Sequence, residues 1–174
     1  MNKQVELKCL MLNHPMTKKG IVQGLEAFKL AKARCGNLTL TMFGTCKKDN
    51  LPVGIHYVEN PTPEELLRLY QQSDIFLFPS LEEGWGLTPL EAMACGCTVV
   101  GTRTGFVLDL GRHEENMMIS EPGDVKTMAE NIVRVSTDTQ LRKKLSEKAR
   151  ETAEKLSWDK SAMQMLFCLQ KGEE

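Results

Sequence analysis

Short apolar runs alternate along this chain with longer segments in which apolar residues recur every three or four positions. A short apolar run is typical of a buried strand, whereas a spacing of three and four places side chains on one face of a helix. The apolar runs predict six strands, at residues 5–12, 37–43, 54–58, 74–79, 97–101 and 116–119. Strands that alternate with helices in this way are typical of a three-layer α/β/α fold with a mostly parallel sheet.

The segments with helical spacing predict six helices, at residues 19–34, 63–72, 89–95, 124–136, 138–156 and 158–170. Asp124, Asp138 and Ser157 stand at the start of the last three, and short polar side chains there accept hydrogen bonds from the first free amides of a helix. No strand pattern separates the last two segments. Residues 157–174 are therefore expected to form an additional helix that covers an edge of the sheet or packs toward another domain.

Length and charge limit the classes of function. At 174 residues the chain has the length of one domain, and its 22 Lys and Arg residues nearly balance its 23 Asp and Glu residues. No block of positive charge offers the electrostatic footprint of a nucleic-acid-binding protein, although a few well-placed donors can still hold one phosphate group. The chain shows no basic-then-apolar leader and no apolar run near the length of about 18 residues that spans a bilayer, so the expected location is the cytoplasm.

Six cysteines are scattered along the chain without a Cys-x-x-Cys pair. They are Cys9, Cys35, Cys46, Cys95, Cys97 and Cys168. Because most of them lie in apolar runs and a reducing compartment is expected, they are interpreted as small buried apolar residues and not as disulfide partners.

The segment EEGWGLTPLE, residues 82–91, follows the fourth predicted strand and leads into a predicted helix. Gly84 and Gly86 permit a tight loop over residues 83–87 and a close approach of another group to the backbone. A glycine-rich turn before a helix presents free N–H groups and the positive end of the helix dipole, which predicts an anion site. The dipole alone contributes only about 0.3–1 kcal/mol, so a cation is needed as well. Lys19 is the candidate, because it lies in the first strand-to-helix loop, at the same carboxyl edge of the sheet.

A second interpretation of this segment involves no ligand. Residues 88–91, TPLE, match a capping box with Thr88 at the N-cap, Pro89 in the first helical position and Glu91 in the third. The same pattern occurs at residues 62–65, TPEE, where no ligand is predicted. On this interpretation the helix begins at Pro89, and Glu91 caps it.

Residues 73–105, SDIFLFPSLEEGWGLTPLEAMACGCTVVGTRTG, resemble the signature of the retaining, nucleotide-sugar-dependent glycosyltransferases of group 1, family 4. The motif of that family is a glutamate, seven residues and a second glutamate, and Glu83 and Glu91 match it. The similarity extends over residues 5–170 through KKG at 18–20, MFG at 42–44 and EELLRLYQQSD at 64–74. The resemblance implies a Rossmann-like domain that is one half of a GT-B fold. The resemblance implies that this is the C-terminal half, which binds the sugar nucleotide, and that the N-terminal domain that holds the acceptor is absent.

The resemblance also implies roles for individual residues. Glu83 would lie beside the donor sugar as the catalytic residue, Glu91 would hold the ribose hydroxyls, and Lys19 would neutralise the diphosphate, which the amides of residues 86–88 would bind. The implied donor-binding residues are Lys19, His14, Gly84, Gly86, Leu87, Thr88 and Glu91. Considered one at a time, Glu83 is equally well interpreted as a solvated loop acid and Lys19 as a surface lysine.

One position departs from the family pattern. His14 stands five residues before Lys19, where the family commonly has an arginine. A neutral imidazole cannot make the bidentate, permanently charged contact of a guanidinium, so one phosphate contact is in question. The chain contains no Asp-x-Asp pair, in keeping with metal-independent transfer from a nucleoside-diphosphate sugar without a cofactor.

Other functions remain open beside the transferase. The same sequence permits a non-catalytic module that binds a nucleotide sugar or assembles with partner proteins. A nucleotide-sugar epimerase would need further acid and base residues, and no convincing His and Asp constellation is present. A receiver domain would need an aspartate at the carboxyl end of a strand, whereas Asp74 begins one. The sequence leaves the nucleotide, the sugar and the acceptor undefined.

Overall fold

A single six-stranded sheet organises the chain. The computed structural model describes residues 6–47 and 51–171, and the side chains among them except those of residues 164 and 167–171. The strands are β1 (Leu7–Leu12), β2 (Leu38–Gly44), β3 (His56–Glu59), β4 (Ile75–Phe78), β5 (Thr98–Thr102) and β6 (Met118–Ser120). They lie in the order β3-β2-β1-β4-β5-β6, and every neighbouring pair is parallel. The six predicted strands are confirmed, although residue 5 of the first lies outside the described residues.

Seven α-helices and one short 3₁₀ turn are formed within the described part of the chain. The turn is Thr17–Lys19, and the helices are α1 (Ile21–Cys35), α2 (Pro63–Gln71), α3 (Leu87–Ala94), α4 (Val107–Leu110), α5 (Val125–Thr137), α6 (Thr139–Glu154) and α7 (Trp158–Lys171). The six predicted helices are confirmed in kind, whereas the turn and α4 were not predicted because segments of three or four residues are too short to show a period. Of the described helices, none combines the length and apolar character that crossing a bilayer requires.

Side chains of successive strand residues enter two different apolar layers. Ile75 and Leu77 of β4 pack in the layer beneath α1 and α5, whereas Phe76 and Phe78 pack in the layer beneath α2, α3 and α4. This alternation follows from the two-residue repeat of a strand. Both faces of the sheet are therefore covered by helices, and the predicted three-layer α/β/α architecture is confirmed.

The strand order reverses direction between β1 and β4. After β1 the chain moves outward on one side of the sheet to β2 and β3, and it then returns to place β4 on the other side of β1. The loops that follow β1 and β4 consequently leave the sheet side by side and in opposite directions. In open parallel sheets, a crevice forms at the carboxyl ends of the strands at such a switch point.

Four helix starts carry the predicted side-chain caps. In α2, Thr62 Oγ1 accepts from the Glu65 amide at 3.2 Å, and Glu65 Oε2 accepts from the Thr62 amide at 2.8 Å. The other three predicted caps are confirmed as well, since Asp124, Asp138 and Ser157 accept from the amides of Thr127, Leu141 and Lys160. These short-range patterns depend on local spacing alone, which explains why the sequence predicts them well.

Thr62→Ala is expected to lower the free energy of unfolding by about 1 kcal/mol, because the Glu65 amide loses its acceptor. Urea unfolding followed by circular dichroism measures the change. Thr88→Ala is the matched control, because Thr88 makes no capping hydrogen bond in α3. If Thr88→Ala lost as much stability as Thr62→Ala, this would contradict the conclusion that the TPEE segment at residues 62–65 caps its helix and the TPLE segment at residues 88–91 does not.

The five cysteines whose side chains are described are free thiols. Cys9 and Cys97 are buried as predicted, and burial raises the pKa of Cys97 to about 12. Cys35, Cys46 and Cys95 are only partly buried, so the expectation was wrong for these three. Each of them lies just after a strand or near the end of a helix, where chain-end geometry leaves a side chain partly open to solvent.

Candidate functional site

The loops after β1 and β4 are joined by backbone contacts at the switch point. The amides of Leu81 and Glu82 both donate to the Lys18 carbonyl, at 2.7 and 3.2 Å. Gly20 has a φ of +63°, and a Cβ atom built on it would lie 1.9 Å from the Pro79 carbonyl oxygen. Glycine is required here both for the left-handed backbone and for the contact. Two loops some sixty residues apart in sequence therefore form one structural unit at the crevice.

Lys19 and Glu83 meet inside this unit. Lys19 Nζ lies 2.6 Å from Glu83 Oε2, and their side chains are only 19% and 12% exposed. Ser80 Oγ donates to the same carboxylate at 3.4 Å, and the Gly84 amide donates to Glu83 Oε1 at 3.2 Å. Such partners offset the cost of burying a carboxylate. The structure thus brings together the two charged residues that the sequence placed at the same edge.

The start of α3 differs from the prediction. The helix begins at Leu87, two residues before Pro89, and Gly86 with a φ of +92° is its N-cap. The predicted capping box is wrong, because Thr88 already lies in the first turn and its side chain makes no capping bond. Gly86 turns the chain into the helix early, and Pro89 is tolerated in the first turn because amides there have no intrahelical acceptor. Glu91 is consequently not a cap.

The first turn of α3 supplies donors to the crevice. The amides of Gly86, Leu87 and Thr88 find no acceptor among the described residues. A small cavity of about 10 Å³, room for about one water, is lined by Thr88, Lys19 and Glu83 among other residues. The Leu87 side chain is 54% exposed, so this corner faces solvent. Free N–H groups and the positive end of the α3 dipole lie beside an ammonium group, an arrangement suited to an anion.

Glu91 has a partner that the sequence did not reveal. The hydroxyl of the buried Tyr70 in α2 donates to Glu91 Oε2 at 2.8 Å. Glu91 is otherwise exposed, and its other oxygen accepts no hydrogen bond within the described chain. Burial and the neighbouring Glu91 carboxylate raise the pKa of Tyr70, so the phenol remains a donor. The sequence contained only a weak signal for this contact. A buried tyrosine hydroxyl usually has a hydrogen-bond partner, but the sequence does not identify that partner.

His14 lies just before the 3₁₀ turn that carries Lys19. Its Nδ1 accepts from the Met16 amide at 3.1 Å, which stabilises the bend between β1 and the turn. With Nδ1 as acceptor, the neutral ring carries its proton on Nε2. His14 makes no hydrogen bond to Lys19 or Glu83.

The opposite edge of the sheet has a larger cavity of about 520 Å³, lined by Leu7, Asp74 and Arg142 among other residues. Leu7 begins β1 and Asp74 directly precedes β4, so this cavity lies at the amino ends of the strands. Asp74 Oδ2 accepts from the Lys8 amide at 2.8 Å. The position of Asp74 confirms that it is not the carboxyl-end aspartate of a receiver domain. Over the described residues, no three His, Cys, Asp or Glu side chains are grouped so as to hold a metal ion.

Comparison with known protein families decides the class of this domain. Residues 3–152 match the family described as "Glycosyl transferases group 1". The chain belongs to the group 1 glycosyl transferases. The matched range includes both loops of the crevice and the whole of α3.

Curated relatives of this group 1 glycosyl transferase domain are longer proteins. It is 34% identical over 89 residues to N-acetyl-alpha-D-glucosaminyl L-malate synthase of Bacillus anthracis, covering 51% of this chain and 23% of that protein. It is 31% identical over 112 residues to D-inositol 3-phosphate glycosyltransferase of Salinispora arenicola (strain CNS-205), covering 64% of this chain and 25% of that protein. The chain spans about a quarter of the length of the curated relatives it matches.

Several solved structures share the fold of this domain. The C-terminal domain of the group 1 family protein LpcC from Francisella tularensis superposes with a TM-score of 0.75 at 21% identity, covering 87% of each chain. A structure of S. aureus TarM in complex with UDP gives a TM-score of 0.81 at 20% identity, covering 95% of this chain and 36% of TarM. Anabaena Alr3699/HepE in complex with UDP-glucose gives 0.74 at 19% identity, covering 86% of this chain and 44% of HepE. The domain is the Rossmann-like half of a GT-B fold, and it matches the C-terminal half.

Proposed function

We propose that this domain binds the nucleoside-diphosphate sugar of a retaining, metal-independent glycosyltransferase and supports transfer when joined to an acceptor-binding domain. The observation that carries the proposal is the pairing of Lys19 with Glu83 beside the unpartnered first-turn amides of α3. Membership of the group 1 glycosyl transferases and the geometry of this corner both support the proposal. TarM and HepE, which share the fold, were solved with UDP and with UDP-glucose.

The diphosphate is assigned to the corner formed by residues 86–88 and Lys19. The three amides supply directional donors, and the dipole of α3 adds about 0.3–1 kcal/mol of attraction for an anion. Lys19 adds the charge-assisted contact, and an ammonium group has three donors, so it can bind a phosphate oxygen without releasing Glu83. Lys19 and Thr88 line the same small cavity, which supports this assignment.

Glu83 is assigned to the donor sugar as the catalytic residue, close to the bond that breaks. Its carboxylate is held by Lys19 and by the Gly84 amide, so its orientation is fixed before substrate arrives. When the bond from the sugar to the diphosphate breaks, negative charge builds on the departing phosphate oxygen. The donors assigned to this charge are the Lys19 ammonium and the amides of residues 86–88, and a preorganised donor typically lowers a barrier by about 2.7–4 kcal/mol. In retaining transfer, the acceptor attacks the face that the leaving group vacates.

Glu91 is assigned to the ribose hydroxyls. It is the fifth residue of α3, roughly 6 Å along the axis from the helix start, and helical side chains lean toward the N-terminus. This lean brings the side chain closer to the start of α3, where the diphosphate is assigned. Among the described residues Glu91 neither caps α3 nor forms an ion pair, and one of its oxygens accepts no hydrogen bond, which agrees with a ligand role.

His14 contributes less to the proposed site than an arginine would. Its neutral ring offers one donor, Nε2, and no permanent charge. Lys19 therefore carries most of the positive charge that the diphosphate meets, and we expect binding to depend strongly on this one side chain.

The proposal also includes a second domain that closes the crevice and holds the acceptor. Leu87 at this corner is 54% exposed, whereas ligand sites usually enclose most of a small molecule. Helix α7 displays exposed apolar side chains, with Trp158 82%, Met163 68%, Met165 66% and Leu166 54% exposed. Apolar surface of this kind typically marks an interaction site, and we assign it to contact with the acceptor domain.

Isothermal titration of the 174-residue chain with UDP, GDP and ADP tests donor binding. We expect heat of binding for at least one of the three, with a dissociation constant of about 1 mM or tighter, because on this proposal a second domain supplies the other wall of the crevice. Absence of heat with all three at millimolar concentration would contradict the proposal. Binding without any sugar transfer after addition of the acceptor domain would instead favour the non-catalytic module.

A further inference from the structure

Tyr70 is tied to the site by a single polar contact. Its residue is 3% exposed, and its ring lies between Phe43 and Phe76, with centroid distances of 5.9 and 5.8 Å. These rings leave the phenol little freedom to rotate away. Its hydroxyl reaches out of the apolar layer and donates to Glu91 Oε2 at 2.8 Å. A rigid donor thus contacts the carboxylate from the protein side.

The Glu91 carboxylate is otherwise unrestrained. Within the described chain it takes part in no ion pair, and Oε1 accepts no hydrogen bond. An exposed glutamate samples several rotamers, and each rotamer-rich side chain that binding immobilises costs about 0.5–1.5 kcal/mol. The hydrogen bond from Tyr70 fixes Oε2 and so removes much of this entropic cost before a ligand binds. Oε1 stays available to accept a hydrogen bond from the ligand.

We propose that Tyr70 is a positioning residue, which holds Glu91 in the orientation that receives the ribose hydroxyls and so favours ribonucleotides over deoxy analogues. This inference rests on the proposed function, since it requires that the crevice binds a nucleoside diphosphate. Tyr70 acts only through Glu91 and does not contact the ligand. The hydrogen bond crosses from α2 to α3, so it links the apolar layer to the ligand-facing surface of α3.

A purely structural role is the competing explanation. The same hydrogen bond joins α2 to α3, and a simple brace between helices would affect every ligand of the crevice equally. Positioning of Glu91 affects only ligands that have ribose hydroxyls. Comparing a nucleoside diphosphate with its 2′,3′-dideoxy analogue therefore separates the two roles, and binding of the analogue also shows that a variant is folded.

The test is Tyr70→Phe, which removes the hydroxyl and keeps the ring. Calorimetric titration with UDP is expected to show about fivefold weaker binding than in the wild type, as for loss of one typical hydrogen bond. Affinity for 2′,3′-dideoxy-UDP is expected to stay unchanged. In a Glu91→Ala background, Tyr70→Phe is expected to have no further effect on UDP affinity. The chain's other tyrosine offers a matched control, Tyr57→Phe, because Tyr57 donates to the Cys46 carbonyl two strands away from the switch point.

An unchanged ratio of UDP to dideoxy-UDP affinity in Tyr70→Phe would overturn the inference, whether both affinities fall or neither does. An effect of Tyr57→Phe on the ratio as large as that of Tyr70→Phe would overturn it too. If the wild type binds none of UDP, GDP and ADP, the proposed function itself fails. If GDP or ADP binds in place of UDP, the same comparison is made with that nucleotide and its dideoxy analogue.

Discussion

Replacing Lys19 with methionine is expected to weaken UDP binding by about 10- to 100-fold, the usual cost of losing a hydrogen bond that involves a charged group. The effect should be large because Lys19 is the cation that the described structure places at the first turn of α3. Methionine keeps most of the aliphatic stem, so packing changes little. Calorimetric titration measures the affinity, and its dependence on salt should become weaker in the variant.

Lys18→Met is the matched control for charge. Lys18 is adjacent in the same turn and exposed; its backbone carbonyl accepts from the loop after β4, and its side chain forms no hydrogen bond or ion pair with the described residues. Its loss removes one positive charge from the surface without touching the crevice, so UDP affinity should change by no more than about twofold. Equal losses in the two variants would show that general charge, and not the position of Lys19, governs binding.

Lys19→Met also leaves the Glu83 carboxylate largely buried without its cation, so a loss of stability is expected. The double variant Lys19→Met with Glu83→Gln removes that unpaired charge. It should recover stability while UDP binding stays weak, which separates folding from ligand recognition.

Gly20→Ala is expected to lower the free energy of unfolding by about 4 kcal/mol or more, the largest single effect on stability that we predict. Two costs combine. A left-handed backbone costs a residue with a Cβ atom about 1–2 kcal/mol, and that Cβ would lie 1.9 Å from the Pro79 carbonyl oxygen, so the backbone must shift. Since the shift would separate the loops that carry Lys19 and Glu83, UDP affinity should fall as well.

Gly36→Ala isolates the first of these costs. Gly36 also has a positive φ, +72°, but nothing lies within 4 Å of a Cβ atom built on it. We expect a loss of only about 1–2 kcal/mol and no change in nucleotide affinity. Urea unfolding measures the loss of unfolding free energy in both variants, and the difference between the two losses is due to the close contact with Pro79. A Gly20→Ala variant as stable as Gly36→Ala would show that the two loops are not tightly joined.

The sequence predicted that Lys19 and Glu83 lie at the same edge of the sheet because the fold constrains their positions strongly. Parallel strands place all their carboxyl ends at one edge, so Lys19 and Glu83 were expected near each other before any contact was known. Regular periodicity likewise predicted the strands and most helices. These features are predicted from patterns that repeat over many residues, so one atypical residue changes the prediction little.

Prediction failed where two local signals competed or where a contact was distant in sequence. At residues 88–91 the TPLE pattern indicated a cap, but the positive φ of Gly86 begins the helix earlier. The bond from Tyr70 to Glu91 joins residues 21 positions apart and depends on how α2 packs on α3. Neither spacing nor composition encodes that packing, so the partner of Glu91 became evident only in three dimensions.

The paired hydrogen bonds from Leu81 and Glu82 to the Lys18 carbonyl restrict how this crevice can vary among sequences. Inserting a residue into either loop would shift its backbone out of register with the other, so a change of length in one must be matched by a change in the other. Ligand preference is therefore expected to change through replacement of side chains in loops of constant length. Inserted segments are expected to be tolerated only in loops other than these two.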